Sequence, residues 1–422
     1  MSHPDFAKAA AHISADGIRD LLIDLVDIPS PTGHEAGVAN YLVERMKRSS
    51  LATNLQFVDD NRPNAVGLLR GKGDGLNLLF TGHMDTSYSG SEEHLHGDGF
   101  RPKALFKDGW IWGLGANNMK SGLACALVAI EAIVKAGIRL DGDISFGGVV
   151  GEIEKTAIEE FQSIEYSGYG IGSRHLVTHG VTADCALLAE PTGLRVARAN
   201  MGVIWLRITV GGTVQHSANS HRPGIVNAIA VMHDLQTDIA QWASNYSANN
   251  SFLGENANVT VAAIRGGAPW RLSRNPHECS IYLDIRTVPG QKPDSIKRDL
   301  RRMLRDFAER KGIEEPELHL YVTDPPLLLD ENEPIVQATC DAQELVTGSR
   351  PTPIMRRPGA DAVHLTSYGV PCLAFGPGGR LHPDTRGAPM HAFGEHVLID
   401  DCVTAANVYL ALTLDICNRK AP

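Results

Sequence analysis

Residues 76–86 read Leu-Asn-Leu-Leu-Phe-Thr-Gly-His-Met-Asp-Thr. The apolar run Leu78-Leu79-Phe80 has the character of a strand buried on both faces, as in a parallel sheet covered by helices. It ends at Thr81-Gly82, and His83 and Asp85 follow two residues apart. In open α/β sheets, ligands bind outside the carboxyl ends of the strands. If the chain is still extended there, a period of two puts His83 and Asp85 on one face. A histidine binds a metal through one ring nitrogen while a carboxylate holds the other. Asp85 suits that role or direct ligation. The plainer alternative is a strand-end histidine in a turn with an N-capping aspartate.

Other strand ends carry the same chemistry. Ile144–Val150 is a second buried strand, ending in Gly151-Glu152-Ile153-Glu154. Cys185–Ala189 is a third, ending in Glu190-Pro-Thr. Each acidic group can be read as a surface residue at the start of the next element. Taken together they form the histidine and carboxylate set of a divalent-metal hydrolase. Between the first two strands lie the long loop Thr86–Lys107 and then Trp110-Ile-Trp-Gly-Leu-Gly-Ala-Asn-Asn-Met-Lys-Ser-Gly122, which leads into a helix over Leu123–Lys135. Asn117 and Asn118 near its start read either as N-caps or as polar anchors beside His83.

The pattern changes after about Val196. Ile204, Leu206, Ile208 and Val210 alternate, as in a half-exposed strand. A loop with His216 and His221, a helix from Val226 to about Trp242, strands at Val259–Ile264 and Cys279–Arg286, and a basic amphipathic helix over Ser295–Arg310 follow. This β-α-β-β-α order predicts a small α+β sandwich inserted into the first domain. The first pattern then resumes with a strand at Leu318–Val322, a helix at Ile335–Leu345, a strand at Pro371–Phe375 and a helix at Asp400–Ile416.

Composition bounds the class. The chain has 422 residues, enough for two or three domains, with 43% hydrophobic and 21% charged residues. A formal net charge of −10, with no block of Lys and Arg, argues against nucleic acid as a partner. No apolar run reaches the roughly 18 residues that span a bilayer, and the N-terminus lacks a secretory pattern, so no membrane role is expected. Seven scattered cysteines without a Cys-x-x-Cys pair suit a reducing cytoplasm.

Over nearly its whole length the chain resembles the dinuclear metallopeptidases of the aminoacylase, acetylornithine deacetylase and succinyl-diaminopimelate desuccinylase group. The resemblance rests on Gly82–Asp85, Gly113–Gly122, Gly151-Glu152, Ala189–Thr192, Gly212–Ser217, Leu283–Arg286, Gly359–Ala362 and His391–Glu395, in that order. It implies a zinc-peptidase-like α/β fold: a mixed, mostly parallel sheet flanked by helices, residues 1–196 and 308–422, with a lid and dimerisation domain at 197–307. It implies His83 and Glu190 as ligands of a first metal, His391 as a ligand of a second, and Asp85 behind His83. Glu152 falls at the general base. His216 would reach a partner subunit's site and stabilise the oxyanion. A homodimer through the lid follows, and a larger assembly of dimers is compatible with it.

Two positions depart from the family pattern. Asn118 stands where the family has an aspartate bridging both metals, and Ile153 where it has a second metal-binding glutamate. An amide brings no charge to offset two dications, and isoleucine cannot ligate. Glu154 could replace Ile153 only if the strand end shifts by one residue. The expectation is one labile divalent ion per chain, manganese or zinc, held by His83, Glu190 and a further donor from Asn118, Glu152 or His391. Hydrolysis of an amide C–N bond in a small carboxylate-bearing substrate is the first reading. The second is hydrolytic deamination of an electron-poor aromatic amine, as in 5-nitroanthranilic acid aminohydrolase, a relative within the family. Trp110, Trp112 and Trp270 would then line a flat pocket. Arg271 or Arg274 would hold a carboxylate, with Asn275 and Asp361 also facing the substrate. A third reading is a binding protein that has lost catalysis.

Overall fold

The computed structural model describes residues 5–385 and 394–420. The chain divides into two compact units. One comprises Met1–Arg198, Leu329–Ile354 and Ala360–Pro422; the other comprises Ala199–Leu328 with Met355–Gly359.

In the first unit the strands lie in the order Ala52–Asp59, Arg62–Leu69, Ile144–Val149, Leu78–His83, Cys185–Leu188 and Cys372–Ala374. The last four are mutually parallel, and the first two join antiparallel at the edge. Adjacent Gly147 and Gly148 leave room for Leu176 and Leu42, which come from helices Ile171–Thr178 and Ala36–Arg48 on opposite faces of the sheet. That two-sided cover explains why Leu78, Leu79 and Phe80 are all buried rather than alternating. Each such side chain contributes about 1.5–3 kcal/mol on burial. Helices Ala15–Val26, Lys120–Lys135, Pro334–Thr347 and Ile399–Ile416 pack among themselves and complete the unit. The mostly parallel sheet flanked by helices is the expected fold class.

The Ala52–Asp59 strand was not evident from the sequence. Its polar Asn54, Gln56 and Asp59 reflect an edge position, and only Gln56 in it is buried. Trp110–Trp112, given no element from the sequence, is a short strand between His396–Leu398 and Leu105–Lys107, the last of which lies at the end of the expected loop.

In the second unit an antiparallel sheet runs Asn258–Gly266, Glu278–Thr287, Gly202–Gly211, Glu317–Asp324. Helices Ala228–Asn249 and Pro293–Lys311 supply Met232, Leu235, Ile239, Ile296, Leu300, Leu304 and Phe307 to a core with Ile204, Leu206, Ile208 and Val210. The expected boundary at residue 308 is therefore corrected to 328. It would cut the Pro293–Lys311 helix next to buried Phe307. It would also detach Glu317–Asp324, which pairs with Gly202–Gly211 rather than joining the first sheet.

Candidate metal centre

The parallel register explains the convergence of the three strand ends. Leu78–His83 has Ile144–Val149 on one side and Cys185–Leu188 on the other. His83 lies opposite Val149, three residues before Glu152, and Thr81 lies opposite Leu188, two residues before Glu190. With strands about 4.8 Å apart, side chains leaving three adjacent carboxyl ends must meet. His83 Nε2 lies 3.5 Å from Glu152 Oε2 and 3.5 Å from Glu190 Oε1. One donor atom from each of the three falls within 4.8 Å of the others. Asn118 Oδ1 is 3.2 Å from His83 Nε2, so the departing residue also faces the centre.

The other ring nitrogen of His83 is fixed. Nδ1 lies 2.9 Å from the Asp85 carbonyl oxygen and 3.5 Å from Asp85 Oδ1. Donation from Nδ1 to that carbonyl leaves the Nε2 lone pair aimed at three oxygens. An imidazole so placed calls for a cation at Nε2, a proton or a metal ion. Burial alone would lower the His83 pKa, but Glu152, Asp85 and Glu190 outweigh it and hold it well above the ordinary histidine value. Glu152 is pushed the opposite way for an acid. Burial raises its pKa well above the usual carboxylate range, Glu190, Asp361 and Asp85 add to this, and His83 opposes. One imidazole and two carboxylates within bonding range of a common point fit a divalent ion such as zinc.

Asp85 is wholly buried and ties the centre together. Its Oδ2 accepts from the Thr32 hydroxyl (2.9 Å) and the Ile153 N–H (3.2 Å), and its Oδ1 from the Glu152 N–H (3.1 Å). Burial would raise its pKa, but His83 and these donors bring it below the usual value. Ile153 is a buried apolar side chain whose backbone serves Asp85, and Glu154 is not one of the three clustered donors.

Supporting groups surround the Asn118 turn. Glu395 Oε2 accepts the N–H groups of Asn117 (3.2 Å) and Asn118 (2.8 Å). Asn117 Oδ1 accepts the Gly379 N–H at 2.8 Å, so neither asparagine caps the following helix, whose N-cap is Met119. The Lys120 ammonium is buried and donates to the Leu25 and Ile28 carbonyls at 2.9 Å each, and burial pulls its pKa down to about 7. Thr32, Glu395 and Lys120 were assigned no role from sequence. Thr32 lies just before helix Ala36–Arg48 and Glu395 in the last quoted motif, but neither has a spacing that reveals its partner.

The remaining expected residues fall as follows. Asp361 is buried, its Oδ2 accepts from Ser173 Oγ at 2.6 Å, and burial, with the fields of Glu190 and Asp85, lifts its pKa to about 7 against Ser173 and His83. It belongs to the same electrostatic cluster. His391 lies outside the described residues. Trp110 and Trp112 pack against the rings of His382 and His396. His216, Arg271, Arg274 and Asn275 belong to the second unit, on two loops joined by a bridge between His216 and Arg274. His216 is exposed and its Nδ1 accepts the Ala218 N–H at 3.2 Å, which puts the proton of the neutral ring on Nε2. Arg271 and Arg274 are exposed, as is Trp270 at 83%. Asn275 is buried, and its Nδ2 braces the loops through the Thr213 and Val226 carbonyls at 2.8 Å each.

A parallel sheet with one histidine and two glutamates converging at its strand ends carries the donor set that a metal-dependent hydrolase uses. Residues 79–415 match the model of Peptidase family M20/M25/M40, and the chain belongs to that family. It is 24% identical over 421 residues to the N-formyl-4-amino-5-aminomethyl-2-methylpyrimidine deformylase of Bacillus subtilis (strain 168), covering 92% of this chain and 91% of that one. Its fold is similar to that of a tripeptidase from Staphylococcus aureus (TM-score 0.74, 18% identity, 96% of this chain and 100% of that one). It is also similar to that of human carnosine dipeptidase 1 (TM-score 0.73, 14% identity, 99% and 100%). The chain is a hydrolase acting on C–N bonds, of a family that depends on divalent metals. No helix among the described residues is long and apolar enough to cross a membrane.

Proposed function

We propose that the chain hydrolyses the amide C–N bond of small N-acyl amines bearing a carboxylate, with one divalent ion and with Glu152 as general base. The observation that carries this reading is the meeting of His83, Glu152 and Glu190 at adjacent strand ends, beside a neutral Asn118 and an apolar Ile153. His83 and Glu190 would hold the ion, with Asn118 Oδ1 as a neutral donor and His391 as a further candidate. Two missing carboxylates leave too little charge for a second dication, which supports a single ion, manganese or zinc, loosely held. When bound, such an ion lowers the pKa of water and polarises a carbonyl.

The chain's own groups do the rest. Glu152 takes a proton from the attacking water on its carboxylate and returns it to the leaving nitrogen. Its carboxylate lies in the centre, 3.5 Å from His83 Nε2, within reach of a water held there. Asp85 keeps the His83 ring in one tautomer and fixes the Glu152 backbone. The likeness to a deformylase, named for removing a formyl group from an aminomethylpyrimidine, supports an N-acyl amine as substrate. The exposed guanidinium forks of Arg271 and Arg274 suit a carboxylate, and Asp361 is a separate candidate within the cluster of the first unit.

His216, with its proton on Nε2, is the proposed oxyanion donor, supplied by a second copy of the chain in a homodimer. Support for that dimer is the edge strand Asn258–Gly266, where Val261 and Ile264 are about half exposed and one row of backbone groups is unpaired. Seven buried free cysteines fit a cytoplasmic setting. The neutral Asn118 and Ile153 also favour a second reading, deamination of an electron-poor aryl amine whose ring carries the developing charge.

The test is turnover by metal-loaded protein on a panel of N-formyl and N-acyl amines, dipeptides and 5-nitroanthranilate. Glu152→Gln should keep its metal and lose about 10²- to 10⁴-fold in kcat. Wild-type-like rates in that variant would remove Glu152 from the chemistry. Turnover of the nitroaryl amine alone would put the second reading first.

A further inference from the structure

Behind the centre lies an ion pair that the reaction does not touch. Arg62 and Glu35 are both fully buried. Arg62 donates from Nη2 to Glu35 Oε1 (2.7 Å) and from Nε to Glu35 Oε2 (3.0 Å), a two-pronged contact. Glu35 Oε1 also accepts the Gly33 N–H at 3.0 Å. The remaining arm of Arg62, Nη1, donates to the Ser167 carbonyl at 2.8 Å and more weakly to that of Ile164 at 3.4 Å. One guanidinium therefore joins the turn before helix Ala36–Arg48 to the segment that follows Glu152.

These are the segments that Asp85 joins one layer further in, through Thr32 and through the N–H groups of Glu152 and Ile153. Gly151, just before Glu152, lies flat against Arg62. A Cβ there would stand 2.6 Å from Arg62 Nη2 and 2.9 Å from the Ser167 oxygen, and the Gly151 φ is +62°. The Gly151 carbonyl is held by the Gly170 N–H at 2.9 Å. Arg62 also begins the Arg62–Leu69 strand, which pairs with Ile144–Val149, so its backbone is anchored beside the strand that leads to Glu152. A buried pair of this kind is often no more stabilising than apolar residues of the same volume. Stability alone therefore does not account for a charged fork at this place.

We propose that Arg62, locked by Glu35, is a positioning residue for Glu152: it fixes the Gly151–Ile153 turn so that the Glu152 carboxylate faces His83. The inference rests on Glu152 acting as general base. Misplacement of a reacting group by about 1 Å can cost roughly 10²-fold in rate. Arg62→Lys keeps the charge beside Glu35 but cannot grip both the carboxylate and the Ser167 carbonyl in the same geometry.

The test is a cycle of wild type, Arg62→Lys, Glu152→Gln and the double variant. All are zinc-loaded and assayed on whichever N-acyl amine or dipeptide the wild type turns over best. Zinc affinity is measured alongside by competition with a chromophoric chelator. In Arg62→Lys, kcat should fall roughly 10- to 100-fold, while KM and zinc affinity change less than about threefold. In the Glu152→Gln background Arg62→Lys should add no further loss, because there is no base left to misplace. Wild-type kcat in Arg62→Lys, or an equal further loss in the Glu152→Gln background, overturns the proposal while leaving the base assignment intact. Wild-type turnover in Glu152→Gln alone overturns the base assignment and this proposal with it. Should Arg62→Lys fail to fold, Glu35→Gln takes its place in the cycle. It keeps one acceptor oxygen and should lose about 3- to 10-fold in kcat, with the same two results overturning the proposal.

Discussion

Replacing Asp85 by asparagine keeps the size of the side chain and removes its charge. Asp85 Oδ1 accepts the Glu152 N–H and faces His83 Nδ1 at 3.5 Å, while Oδ2 accepts the Thr32 hydroxyl and the Ile153 N–H. An asparagine offers one acceptor oxygen in place of two. Whichever way it turns, its NH2 meets a backbone N–H, that of Glu152 or of Ile153, and leaves that donor buried without a partner. Such a donor costs about 1–3 kcal/mol, and the weaker bonds to a neutral acceptor add about 1 kcal/mol. In a unit of more than 250 residues this corresponds to a fall in Tm of roughly 5–15 °C. Calorimetry on chelator-treated protein reads it directly. The pH dependence has a defined sign. The folded-state pKa of Asp85 is depressed, so its contribution is complete above the unfolded value of about 3.9 and is lost as pH falls through the lower folded value. The gap between wild type and Asp85→Asn should therefore close as the pH drops below about 4. A Tm within about 1 °C of wild type at neutral pH, or a gap that stays constant into acid, would mean that the Asp85 charge does not hold these donors.

Two further outcomes are expected. His216→Ala removes an exposed ring, so stability should stay within about 0.5 kcal/mol while kcat falls; unchanged kinetics would take His216 out of the site. Ile264→Lys places a charge on the exposed edge strand, where Ile264 is 53% exposed, and should shift sedimentation toward monomer. A dimer that persists would locate the interface elsewhere.

The strand ends were legible because a parallel sheet aligns its carboxyl ends. Once Leu78–Phe80, Ile144–Val149 and Cys185–Leu188 are read as parallel strands, His83, Glu152 and Glu190 fall at one end of the sheet, and the adjacency of the three strands brings them together. Their order across the sheet was not legible, since it depends on crossovers that local pattern does not encode. The second unit was legible from the alternation of Ile204, Leu206, Ile208 and Val210. Its end was misplaced because Glu317–Asp324 is as polar as an edge strand of either sheet would be, and only pairing assigns it to Gly202–Gly211. The layer behind the centre was hidden for a related reason. Arg62, Glu35, Thr32 and Glu395 look like ordinary surface residues in sequence, and only the folded chain shows Arg62 and Glu35 with no exposed surface. Asn275 shows the converse: its position suggested a substrate contact, and its amide nitrogen is already spent on bracing two loops.

The proposed one-metal centre follows from a neutral Asn118 and an apolar Ile153. Elemental analysis of protein reconstituted with manganese or zinc, with and without candidate substrates, tests it most directly. One loosely held ion per chain is expected; two tightly held ions per chain would mean that Asn118 or Glu154 makes up for the missing carboxylates.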